Sequence, residues 1–179
     1  LRNLSRQQEI MTNMYVEAKL HFHTISDQVF PEYRKVFGDL FSKVSLSILK
    51  EYPTSEKVLA AEEEELINRI REHCSSRSIQ WASEKARELI RSASQNPFKK
   101  VRYESHLTNL RMYIDILFHY QGHLSDLESQ MVSLANEIEE YKIIQSIPGI
   151  GEKIAATIIS EIGEIDRFNH PKKLVAYAG

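Results

Sequence analysis

The chain has 179 residues, 42% of them apolar and 27% charged, with a formal net charge of −2. That is room for one medium domain or two small ones, with no bulk basic field of the kind that nucleic-acid-binding domains usually carry. Residues 1–98 hold 14 basic and 14 acidic side chains and residues 99–179 hold 9 and 11, so neither half is basic. Cys74 is the single cysteine, which excludes an internal disulfide framework or a cysteine-based metal site. No apolar run approaches the roughly 18 residues of a membrane span, and no signal-peptide pattern opens the chain. A cytoplasmic location without membrane contact is expected.

Six glycines and five prolines predict long helices with few turns. Over residues 2–28, Leu4, Gln8, Met11, Tyr15, Ala18, Phe22, Ile25 and Val29 recur at spacings of four and three. This is the seam of an amphipathic helix with coiled-coil period. Phe30-Pro-Glu-Tyr33 breaks it. Asp39 is a candidate N-cap for a helix over 40–51, with Phe41, Val44, Ile48 and Leu49 on its buried face. Thr54 or Ser55 caps a short helix containing Val58 and Leu59. Glu62 to Glu65 lead a further helix. Four consecutive carboxylates do not share a helix face, so they read as a solvated first turn rather than a metal site. Ser78 caps a helix over 79–94, and 92–97 form the best boundary in the chain.

From Phe98 to Gln145 there is no proline. Leu107, Leu110, Ile114, Leu117, Gln121 and Leu124, then Leu127, Met131, Leu134, Ile138 and Tyr141, form two heptad blocks joined by a three-residue offset. A continuous helix of about 45 residues would span about 65 Å. Such a helix asks for a partner, which a second copy of the chain would supply, making a homo-oligomer. A hairpin broken near Gly122 is the alternative.

Ile147-Pro-Gly-Ile-Gly-Glu-Lys-Ile-Ala-Ala-Thr-Ile-Ile-Ser160 then reads as a tight turn between two helices. Pro148 stops a helix, Gly149 and Gly151 supply backbone angles that side chains disfavour, and Ile150 is an apolar plug between them. Ile154, Ala155, Ile158, Ile159 and Ile162 mark the buried face of the second helix. Free N–H groups and the dipole at its start suit a nucleic-acid phosphate, as in a helix-hairpin-helix element. A plain helix–helix turn with glycines for close packing is the alternative. Lys153 lies in the first turn beyond, and Arg167, Lys172 and Lys173 in the following loop. Each is a candidate phosphate contact. Pro171 suits the first turn of another helix, with His170 near its cap.

No catalytic constellation is visible. His119 and His123 are four apart but lack a third ligand with suitable spacing. His21 and His23 point to different helix faces, and Cys74 beside His73 matches no nucleophile motif. There is no Walker loop or nucleophile elbow. The expected fold is all-α: a helical middle region over 1–97, a coiled-coil helix over 98–142, and a helix-hairpin-helix element within 143–179.

Residues 143–179, with Ile-Ile-Gln-Ser-Ile-Pro-Gly-Ile-Gly, then Glu161-Ile-Gly-Glu-Ile-Asp-Arg-Phe168 and Leu174-Val-Ala-Tyr-Ala-Gly179, closely resemble the start of the C-terminal domain of one family of bacterial insertion-sequence transposases. This is the 110/116/902 group, regarded as RNA-guided recombinases. Phe30-Pro-Glu-Tyr33, Val36-Phe37 and Leu49-Lys-Glu-Tyr-Pro-Thr54 are similar to the family's middle region, and Leu1-Arg-Asn-Leu-Ser-Arg6 to the segment after its first catalytic domain. The resemblance implies a parent protein that cuts and rejoins DNA through a serine intermediate. It would have an N-terminal RuvC-like domain holding divalent metal, expected to be Mg, and DNA and guide RNA as partners. The acidic tetrad would lie before Leu1 and the serine beyond Gly179, so no catalytic residue is assigned here. Other readings of the residues are a non-enzymatic repair or junction-binding module and a structural coiled-coil protein. The backbone-binding candidates are Pro148, Gly149, Ile150, Gly151, Lys153, Lys172 and Lys173.

Overall fold

The computed structural model describes residues 1–98, 104–163, 168–170, 172–173 and 176. Among them every regular element is helical, so the fold is all-α. The helices are α1 (Arg2–Val29), α2 (Lys43–Glu51), α3 (Ser55–Ala60), α4 (Glu63–His73), α5 (Ile79–Gln95), α6 (Glu104–Ala135), α7 (Glu139–Gln145) and α8 (Glu152–Ile162), with a 3₁₀ turn over Pro31–Lys35. The chain divides into two compact units, one of residues 1–15 and 120–179 and the other of residues 16–119.

The larger unit is built by capped, short helices. Ser78 accepts the Trp81 N–H at 3.2 Å and Thr54 that of Lys57 at 3.3 Å, which satisfies an orphan donor at each helix start. Asp39 does not cap α2. Its carboxylate takes the Phe41 N–H and its carbonyl the Ser42 hydroxyl, forming a local turn, and Ser42 is the N-cap. The competing turn wins because Asp and Ser both bond readily to nearby backbone. Phe41 packs at 5.8 Å from the Phe22 ring and 5.1 Å from that of His23. Val44, Leu46, Ile48 and Leu49 of α2, Leu66 and Ile70 of α4, and Ala82, Ala86 and Leu89 of α5 are buried. The buried Tyr33 hydroxyl donates to the Ser45 carbonyl at 2.6 Å, and burial drives its pKa far above the usual phenol range. Asn96, also buried, donates to the Val29 carbonyl and to Ser55, tying the end of α5 back to the end of α1. Glu62 to Glu65 are exposed; Glu63 pairs with Arg87, and Glu65 accepts from Tyr52.

In the smaller unit, the first half of α1 runs antiparallel to the second half of α6. Leu1 and Leu4 pack against the cluster containing Met131 and Ala135, while Tyr15 meets Tyr120 edge-on at 6.4 Å and accepts from Gln121 at 2.9 Å. Leu4, Gln8, Met11 and Tyr15 are half-buried, as the α1 seam predicts. The partner for this part of the α6 seam therefore comes from the same chain.

The expected helix of about 45 residues is shorter than its apolar period suggests. It passes through Gly122 unbroken and stops at Ala135. The Asn136 side chain donates to the Val132 carbonyl at 2.9 Å, Ile138 is extended, and α7 begins at Glu139. This break lets Ile138 and Tyr141 reach the cluster of Met131 and Ala135. Leu134, placed on the seam by the heptad reading, is 40% exposed and Ala135 is buried instead. The start of that helix at residues 99–103 lies outside the described residues.

Candidate nucleic-acid interface

The hairpin forms from α7, residues 146–151 and α8. Ile150 donates its N–H to the Ile147 carbonyl at 3.1 Å, closing a four-residue turn. Pro148 sits at its second position and Gly149, with φ +89°, at its third. That is the residue pattern of a type II turn, which needs a positive φ at the third position. Gly151 differs from expectation. As N-cap of α8 it has φ −84° and ψ 175°, ordinary extended backbone that any residue adopts. Its carbonyl accepts the first helical bond, from Ala155 at 2.9 Å, and no side chain caps the helix.

Packing fixes this turn on the unit's core. Ala155, Ala156 and Ile159 of α8 are buried against Met131, Ala135 and Tyr141, and half-buried Ile150 packs on the same cluster, as a plug should. Ile154 is not on the buried face; it is 53% exposed, because Ala155, Ala156, Ile159 and Ser160 take the inward positions. The Tyr141 hydroxyl donates to the Glu152 carbonyl at 3.2 Å, linking α7 to the first turn of α8. Burial, and then the nearby Glu152 charge, raise the Tyr141 pKa. Sequence reasoning placed Tyr141 on a coiled-coil seam and missed this bond.

Pro148, Gly149, Gly151 and Lys153 are all exposed, so the turn and the uncapped start of α8 face solvent together. Uncapped N–H groups and the positive end of the dipole there can accept an anion. Two carboxylates work against it. Glu152 occupies the first position of α8, and Glu128 of α6 forms an ion pair with the Lys153 ammonium. Glu128 went unrecognised in the sequence, although it lies three residues before buried Met131 and so beside the seam. Lys172 and Lys173 are exposed. Their N–H groups donate to His170, to its Nδ1 at 3.1 Å and its carbonyl at 2.9 Å respectively. Arg167, Pro171, and the motif residues at 174–175 and 177–179 lie outside the described residues.

Three of the histidines weighed in the sequence, His119, His21 and His23, make other contacts. His119 Nδ1 lies 2.7 Å from the Asp115 carbonyl, His21 stacks on Tyr113 at 5.8 Å, and His23 meets Phe41. Among the described residues no three His, Cys, Asp or Glu side chains are grouped to hold a metal ion, and no helix is long and apolar enough to cross a membrane.

The model of the transposase IS116/IS110/IS902 family matches residues 141–179. The matched segment opens at buried Tyr141 and contains the whole turn and α8. This end of the chain is thus similar to transposases of that family. No curated protein and no solved structure matches the chain.

Proposed function

We propose that the chain is part of a transposase that cuts and rejoins DNA to move an insertion sequence, acting in the cytoplasm. In this reading, the hairpin of α7 and α8 holds a sugar-phosphate backbone. The observation that carries it is a coincidence of position. The segment similar to the transposase family is also the one that presents a tight glycine turn and an exposed, uncapped helix start. A phosphate oxygen there would accept N–H bonds from the first turn of α8, with Lys153 adding a charge-assisted bond. Such contacts set the register of a duplex without reading its bases. Lys172 and Lys173 would add further phosphate contacts. DNA is the proposed main partner and a guide RNA the second.

The divalent metal and the serine chemistry of the family belong to residues that the resemblance places outside this sequence. No catalytic step is assigned to the residues of this chain.

Fluorescence anisotropy with a labelled duplex at low salt tests the reading. Binding should weaken in Gly149→Ala and in Lys153→Gln while circular dichroism stays unchanged. A folded Gly149→Ala variant that binds as tightly as the parent would remove the hairpin from the interface.

A further inference from the structure

Lys153 is the single basic residue of α8, and its ammonium is turned onto α6, where it pairs with Glu128. The two partners are held unequally. The Glu128 side chain is 30% exposed and that of Lys153 is 70% exposed. Both line a notch between α6 and α8 with apolar walls from Met131 and Ala156, leaving barely the space of one water, about 10 Å³. The carboxylate is the less exposed member of the pair and the lysine the more exposed one. A lysine stem has four rotatable carbons and can carry its charge from one acceptor to another.

We propose that Glu128 is an internal competitor for Lys153. It occupies the ammonium in the free protein and must be displaced before Lys153 reaches a phosphate. The inference rests on the reading of α8 as a backbone-binding element and adds its negative control. The pair restrains binding only modestly, because an exposed ion pair is weak. Its strength corresponds to about a two- to fivefold change in an equilibrium constant. The contact would favour partners that bring many phosphates at once, such as a duplex seated on several sites, over isolated anions.

The test measures the dissociation constant of the whole chain for a short DNA duplex, and separately for an RNA stem-loop, at one low salt concentration. Glu128→Gln should tighten binding about two- to fivefold. The same change in a Lys153→Gln background should give no gain, since the released group is absent. Glu137→Gln, which removes an exposed acid of the same unit, should change little. Equal tightening by Glu128→Gln with and without Lys153 would reduce the effect to general charge removal and overturn the proposal. Unchanged or weaker binding in Glu128→Gln would also overturn it, and weakening would make Glu128 a support that positions Lys153. If Gly149→Ala and Lys153→Gln both bind like the parent, or no variant binds, the hairpin reading itself fails and Glu128 has nothing to restrain. Glu128→Ala, read alongside, separates loss of charge from any packing change in the notch.

Discussion

At Gly149 the backbone takes φ +89°, a conformation that a Cβ disfavours even though nothing lies within 4 Å of where that atom would stand. The cost of replacing it is therefore conformational rather than steric contact with neighbours. Gly149→Ala should destabilise the chain by about 1 kcal/mol. Gly151 has equally open surroundings but φ −84°. There alanine loses the slightly better N-cap and gains a less flexible unfolded chain, so the net change should stay within about 0.5 kcal/mol. Urea denaturation of the two variants checks the contrast. Equal losses at both positions would mean that the turn does not use Gly149 for its left-handed geometry. The sequence distinguishes these glycines only in retrospect. Pro-Gly with an apolar residue on each side fixes a type II turn over 147–150, and this assigns the positive φ to Gly149 alone.

The helices follow their apolar periods closely, and the departures fall where two regular patterns compete. Every position of the α1 seam is buried or half-buried, as an uninterrupted helix of that period should place it, although Ser5 and Ser26 beside the seam are buried as well. The α6 seam is legible as far as Met131. Beyond it a strict heptad points to Leu134, but an undistorted helix drifts by about 20° per heptad. Here the inward position passes to Ala135. Neither the stop at Ala135 nor the restart at Glu139 is visible in a count of apolar spacings, since two consecutive helices can preserve the same rhythm. The local signal was Asn136, whose side chain bonds back to Val132 and offers the backbone an alternative to the helix. A pair of substitutions separates the two seams. Leu134→Gln should change stability by no more than about 0.5 kcal/mol, as exposed substitutions do. Ala135→Gln must bury a long polar side chain in a filled position and should cost about 2 kcal/mol or more. Denaturation midpoints that ranked the two in the opposite order would restore the heptad through Leu134.

For the molecule as a whole, local geometry and overall charge point in different directions. The turn over residues 147–150 is readable from sequence because all its causes lie within a few residues. The ion pair of Lys153 with Glu128 joins positions 25 apart in sequence. Only the packing of α8 on α6 brings them together, so a count of basic residues overstated the charge available at the hairpin. With a formal net charge of −2 there is no diffuse field to compensate. Any duplex must be held by a few discrete contacts. Lys153, Lys172 and Lys173 are the described candidates, and each phosphate neutralised contributes about −0.9 to the slope of log K against log salt. The chain should therefore bind duplex DNA weakly, with a slope no steeper than about −3. Lys153→Gln should make that slope shallower by nearly one contact, and the same loss should appear for unrelated duplex sequences because only backbone is touched. A titration across salt concentrations checks this directly. A slope much steeper than −3 would require a basic surface beyond these lysines. A slope unchanged in Lys153→Gln would place the phosphates away from α8.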